Sequence, residues 1–147
     1  MSHPVCQLYL ITPPVIDDLD AFAALLAGAL DAGPVAALQI RLTPADDAAI
    51  TTAVKRLAPI AQGRGVAVIL NDRPDLAAAL GCDGVHVGQT DASVASARRI
   101  MGKTAMIGAT LRATAGALRR ASPVGGSSMD RRSFTLTWPH AAPVPRA

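Results

Sequence analysis

Short continuous apolar runs alternate along this chain with longer stretches in which apolar residues recur every three or four positions. The first kind suits a strand buried on both faces and the second an amphipathic helix. Gln7 to Ile11 reads as a strand, followed by a helix from about Asp17 to Ala32. Asp17 and Asp18 suit that helix's N-terminus, where orphan amides and the helix dipole favour carboxylates. Phe22, Leu25, Leu26 and Leu30 give it one apolar face, and Gly33-Pro34 ends it. Val35 to Leu42 is a second apolar run, interrupted by Gln39 and Arg41. Thr43-Pro44 reads as a cap and first position of a helix that turns Ile50, Val54 and Leu57 inward and ends near Gly63 to Gly65, with Pro59 as an earlier break point. Further strands are predicted at Val66 to Leu70, Gly84 to Val87 and Ala105 to Ala109. Between them lie a short helix, Pro74 to Leu80, and one opened by Asp91 that carries Val94, Ala97 and Met101 inward.

Such alternation predicts an α/β protein, a parallel sheet covered by helices. The units repeat about every 25 residues, so eight would need about 200 residues, the lower end for a (β/α)8 barrel. The 147 residues hold about five parallel βα units. By length alone they form either a five-stranded open sheet or an incomplete barrel. The rhythm ends after Thr110, dividing the chain into a barrel-like part, residues 1–110, and a divergent tail, residues 111–147. In the tail Leu111 to Ala121 can form a helix, Ser122 to Ser128 is a loop by composition, and Phe134, Leu136 and Trp138 give a weak strand signal.

Charge sharpens this division. Residues 1–110 hold eight Lys/Arg and ten Asp, whereas the tail holds six Arg and one Asp, and so carries the whole of the net +3. The tail lacks aromatic residues interleaved with its basic ones, so it reads as a solvated end and no nucleic-acid partner is predicted. The 2 Cys are far apart and suit reduced thiols. No apolar run is long enough to span a bilayer, and no leader pattern opens the chain, so no membrane association and a cytoplasmic location are predicted.

The chemistry lies at the strand ends. In parallel α/β proteins ligands bind at the carboxyl edge of the sheet. The second strand ends with Gln39 and Arg41, the third with Asn71-Asp72-Arg73, the fourth carries His86 and leads to Asp91, and the fifth ends at Thr110. Taken singly, Asp72 and Asp91 also suit helix N-caps, His86 a hydrogen-bonded core position, and Gln39 and Arg41 pairing with a carboxylate. Taken together they suit anion handling. Two carboxylates can hold a hard cation such as Mg²⁺, a guanidinium can take phosphate oxygens in bidentate fashion, and the amides can orient a ligand. A set of this kind stabilises a departing pyrophosphate.

Four segments carry a resemblance: Leu8-Tyr-Leu-Ile-Thr-Pro13, Leu38-Gln-Ile-Arg-Leu42, Leu70-Asn-Asp-Arg-Pro-Asp-Leu76 and Asp83-Gly-Val-His-Val-Gly-Gln-Thr-Asp91. In this order they resemble the thiamine phosphate synthases, from about residue 7 to Thr110. The resemblance implies a TIM (β/α)8 barrel, here incomplete. It also implies a transferase of thiamine biosynthesis that joins hydroxymethylpyrimidine diphosphate to thiazole phosphate and releases pyrophosphate. Asp72 and Asp91 would ligate Mg²⁺, Arg41 and Asn71 would contact the diphosphate, Gln39 would hold the pyrimidine, His86 would line its pocket, and Thr110 would touch the diphosphate. No catalytic residue is assigned beyond these. The family departs from this chain at Thr43, where its pattern has Lys, and after Thr110, where the strands that seat the thiazole phosphate find no match. A truncated gene or a shifted reading frame is the expectation there, with self-association to complete the barrel. The alternatives are a non-catalytic half-barrel that binds ligand or assembles, and a protein like the related thiazole tautomerase. The tautomerase typically lacks the Asp of the Asn-Asp-Arg block and uses a His after strand five, where this chain has Leu111 and Arg112.

Overall fold

The computed structural model describes residues 7–88 and 92–111, and residues 133–137, with backbone only for 111 and 133–137. Within it the elements run β1 (Leu8–Ile11), α1 (Leu19–Ala32), β2 (Val35–Ile40), α2 (Asp47–Gln62), β3 (Ala67–Asn71), α3 (Pro74–Ala79), β4 (Gly84–Val87), α4 (Val94–Met101), β5 (Met106–Leu111) and β6 (Ser133–Thr137). Strand order in the sheet follows sequence order. The fold is α/β, an incomplete barrel of five successive parallel strands with intervening helices. The chain divides into two compact units, Met1–Ile69 and Leu70–Ala147.

In the first unit β1 lies parallel to β2, with Tyr9 opposite Ala37 and Ile11 opposite Gln39. β2 is apolar apart from Gln39 because almost every residue in it is buried, whichever way it points. The core joins Ala23, Leu26 and Leu30 of α1, Leu38 and Ile40 of β2, Val54, Leu57 and Ala61 of α2, and Val68 and Ile69 of β3. α1 is capped by Asp18, whose carboxylate accepts from the Ala21 amide at 2.9 Å. Its apolar face is narrower than the sequence suggests: Leu26 and Leu30 are buried, but Leu25 is 68% exposed. α2 starts later than the Thr43-Pro44 signal predicts. Its cap is Asp46, which accepts from Ala49 N at 2.7 Å. A carboxylate is the better acceptor for an orphan amide, and the Thr43 amide instead donates to the Pro14 carbonyl, 3.0 Å away. Pro59 does not break the helix, which continues to Gln62. Arg56–Asp20 links α2 to α1, and Arg64, two residues past the end of α2, pairs with Asp31 of α1.

In the second unit β4 lies parallel to β5, with His86 opposite Gly108. Val85, Val87, Ile107 and Ala109 are buried, along with Ala77 of α3 and Ala97 of α4. α4 takes Ser93 as its cap, accepting from Ser96 N at 3.1 Å, so Asp91 does not cap it; Asp91 itself lies outside the described residues. Val94 is exposed and Ala97 alone of the helix is buried. Arg98 closes the α4–β5 turn by donating to the carbonyls of Gly102, Lys103 and Ala105. β6 pairs antiparallel with β5, setting Phe134 opposite Thr110. β5 therefore does not present the open edge expected of a strand at the end of an incomplete barrel. The helix expected over Leu111 to Ala121 falls outside the described residues from 112 onward.

Candidate functional site

Each described polar residue at a strand end has its own structural support; Asp91 lies outside the described residues. In the first unit Gln39 is 3% exposed, and its side-chain Oε1 accepts from the Tyr9 hydroxyl at 3.2 Å. A buried amide costs stability unless it is paired, and the phenol supplies the pairing. Burial pushes the Tyr9 hydroxyl up to about 12, so the phenol remains a donor at neutral pH. Arg41 is exposed, one residue beyond β2. Its backbone is fixed from β1: the Arg41 amide donates to Thr12 Oγ1 at 2.9 Å, and the Thr12 amide donates to the Gln39 carbonyl at 3.0 Å. Tyr9 and Thr12 thus hold Gln39 of β2 and the backbone of Arg41 just beyond it. Both lie in the Leu8-Tyr-Leu-Ile-Thr segment, but their role shows only through strand pairing.

In the second unit Asn71 ends β3, and Asp72 follows with φ of 62°. This is the left-handed region, which non-glycine residues seldom enter and Asp tolerates better than most. The Asp72 amide donates to the His86 carbonyl at 2.7 Å, and the Asn71 side-chain amide donates to Asp72 Oδ2 at 2.6 Å. Asp72 is not an N-cap: Arg73 holds that position in α3 and makes no side-chain cap bond. Arg73 instead forks onto Asp75 at 3.0 and 2.8 Å, and this pairing holds the Asp75 carboxyl below the usual carboxylate range. His86 is buried, and its Nε2 lies 2.8 Å from Thr110 Oγ1. The second unit therefore brings Asn71, Asp72, His86 and Thr110 into one hydrogen-bonded set, linked through the Asp72 amide and the imidazole.

The donor set bears on metal binding. Asp72 offers carboxylate oxygen, the ligand hard cations prefer. No group of three His, Cys, Asp or Glu side chains able to hold a metal ion occurs among the described residues. One carboxylate at a strand end suits Mg²⁺, which is commonly held by one or two carboxylates together with water and substrate phosphates.

Alternating parallel strands and helices, with amide, carboxylate, imidazole and hydroxyl groups at the strand carboxyl ends, define an α/β protein of the incomplete-barrel type, in which that edge is where ligands bind as a rule. Comparison with known proteins narrows that class. The chain belongs to the thiamine monophosphate synthase family, whose model matches residues 8–125. It is 60% identical over 105 residues to the thiamine-phosphate synthase of Rhodospirillum centenum, covering 71% of this chain and 50% of that protein. It is 40% identical to that of Hyphomonas neptunium over 141 residues, covering 93% of this chain and 62% of that one. Among solved structures it is similar to the thiamine phosphate pyrophosphorylase from Pyrococcus furiosus, with a TM-score of 0.65 and 26% identity over 78% of this chain and 55% of that chain. The similarity extends past Thr110, and the chain spans about half the length of the first of these relatives. No helix among the described residues is long and apolar enough to cross a membrane.

Proposed function

We propose that this chain binds a pyrimidine diphosphate and serves the synthesis of thiamine phosphate, a cytoplasmic transfer in which pyrophosphate is released. The observation that carries the reading is the corner at the end of β3. There Asp72 sits in a left-handed backbone, tied to the His86 carbonyl and held by the Asn71 amide. A charged side chain kept in a sparsely populated conformation at a strand's carboxyl end is a mark of a functional position.

In this reading Arg41 pairs with phosphate oxygens, Asn71 and Thr110 donate hydrogen bonds to the diphosphate, Gln39 orients the pyrimidine, and His86 lines its pocket. Asp72, with Asp91, would hold Mg²⁺, which when bound would neutralise charge on the departing pyrophosphate. The protein's own part is to place donors where negative charge grows on the leaving group. A second copy of the chain associates through β1, whose outer edge is unpaired among the described residues and carries exposed Leu8 and Ile11.

Calorimetry with the pyrimidine diphosphate tests this directly. Binding should require Mg²⁺ and disappear in Asp72→Ala and Asp91→Ala. Arg41→Gln should weaken it by roughly ten- to a hundredfold, the loss of one charge-assisted contact. Binding that is indifferent to Mg²⁺ and to all three substitutions would overturn the reading. Release of pyrophosphate with both phosphorylated substrates present then measures turnover.

A further inference from the structure

Gly108 lies in the middle of β5, directly opposite His86. A glycine inside a strand weakens it, because it packs nothing and loses more freedom on folding, so such a residue needs a reason. Its backbone is not in the left-handed region, which is occupied among the described residues by Asp72, Gly65, Gly81 and Gly102. The reason is spatial. A Cβ on Gly108 would stand 2.5 Å from His86 Nδ1 and 3.4 Å from both Cγ and Cε1 of the same ring. The imidazole occupies the place of the missing side chain. From there its other nitrogen reaches Thr110 Oγ1 at 2.8 Å, on the residue two further along and on the same face of β5.

We propose that Gly108 is a positioning residue: by having no side chain it seats the His86 ring against β5, so that Nε2–H donates to Thr110 and turns the threonine's own proton outward toward a ligand oxygen. A threonine hydroxyl has one proton and two acceptor sites. When imidazole fills one acceptor site with a donated hydrogen, the hydroxyl proton must go elsewhere, and an anionic oxygen is the strongest acceptor available. Gly108 acts through His86, and His86 through Thr110; neither needs to touch the diphosphate. This rests on the assignment of Thr110 to the diphosphate.

The test compares wild type, Gly108→Ala, His86→Ala and the double variant. Three measurements are made: ¹⁵N shifts of the His86 ring without ligand, melting temperature, and calorimetric affinity for the pyrimidine diphosphate with Mg²⁺. Wild type should show a protonated Nε2 whose signal moves in Thr110→Val, and Gly108→Ala should abolish that signature and lower the melting temperature. The double variant should regain stability, since the ring is gone, yet bind as weakly as His86→Ala, about three- to tenfold below wild type. If Gly108→Ala does not fold, a folded double variant supports the proposal and an unfolded one overturns it. A wild-type ring protonated at Nδ1 alone, an unchanged ring signal in Gly108→Ala, or recovery of affinity with stability in the double variant would also overturn it. Wild-type protein that binds no diphosphate defeats the functional reading, while the ring signals still decide whether Gly108 seats His86.

Discussion

Tyr9 and Asp72 show what single residues contribute. Tyr9 is the chain's only tyrosine, so its titration can be read without ambiguity. Its hydroxyl is pushed up to about 12 by burial, so the folded chain keeps that proton after the unfolded chain has lost it at about 10. Fewer protons on the unfolded state make stability fall as pH rises, so this group should cost stability between pH 10 and about 12 and nothing below. Phenolate absorbance should therefore titrate near 12 in the folded protein and near 10 in denaturant. A folded midpoint near 10 would contradict the half-buried Tyr9–Gln39 bond. At Asp72 the left-handed backbone makes a different prediction. Asp72→Ala and Asp72→Gly should both lose Mg²⁺-linked binding. The glycine variant should be the more stable of the two by about 1 kcal/mol, roughly 3–5 °C in melting temperature, because glycine enters this region without steric cost. Equal melting temperatures would mean the backbone relaxes out of that conformation.

At the scale of elements, the sequence marked where strands and helices lie but not how each is seated. Gly84 to Val87 and the core of the other strands were legible because a strand buried on both faces leaves a continuous apolar run. Helix starts were less so. Thr43, Asp46, Asp72 and Ser93 all precede helices and can all cap, and the choice among them depends on where the chain leaves the preceding strand. Asp72 was readable as a candidate ligand, but its conformation was not. Gly108, Tyr9 and Thr12 left no one-dimensional signal, because their roles exist only across paired strands. The seating of α1 can be checked. Leu26→Ala should cost about 2–4 kcal/mol in denaturant unfolding, as for a buried leucine, and Leu25→Ala no more than about 0.5 kcal/mol. Equal effects would mean that the helix is rotated from the face described.

For the whole molecule, the open edge of β1 is the feature with measurable consequences. Among the described residues no strand pairs with its outer side, and it carries Leu8 and Ile11, 58% and 50% exposed, with no charge among its four residues. Such an edge invites pairing, and natural proteins commonly blunt it with lysine. Light scattering should give a mass of about twice 15.0 kDa at micromolar concentration, and Ile11→Lys should return it to the single-chain value. A wild-type monomer would argue against association through β1.

The antiparallel strand at residues 133–137 gives the tail a significance its composition hides. With Phe134 opposite Thr110, a segment that looks expendable is laced along the strand bearing a proposed diphosphate contact. Proteolytic trimming ahead of residue 133 would strip those hydrogen bonds from β5. A clipped chain would then keep Thr110 on a strand whose neighbour has been removed, and not merely be a shorter one.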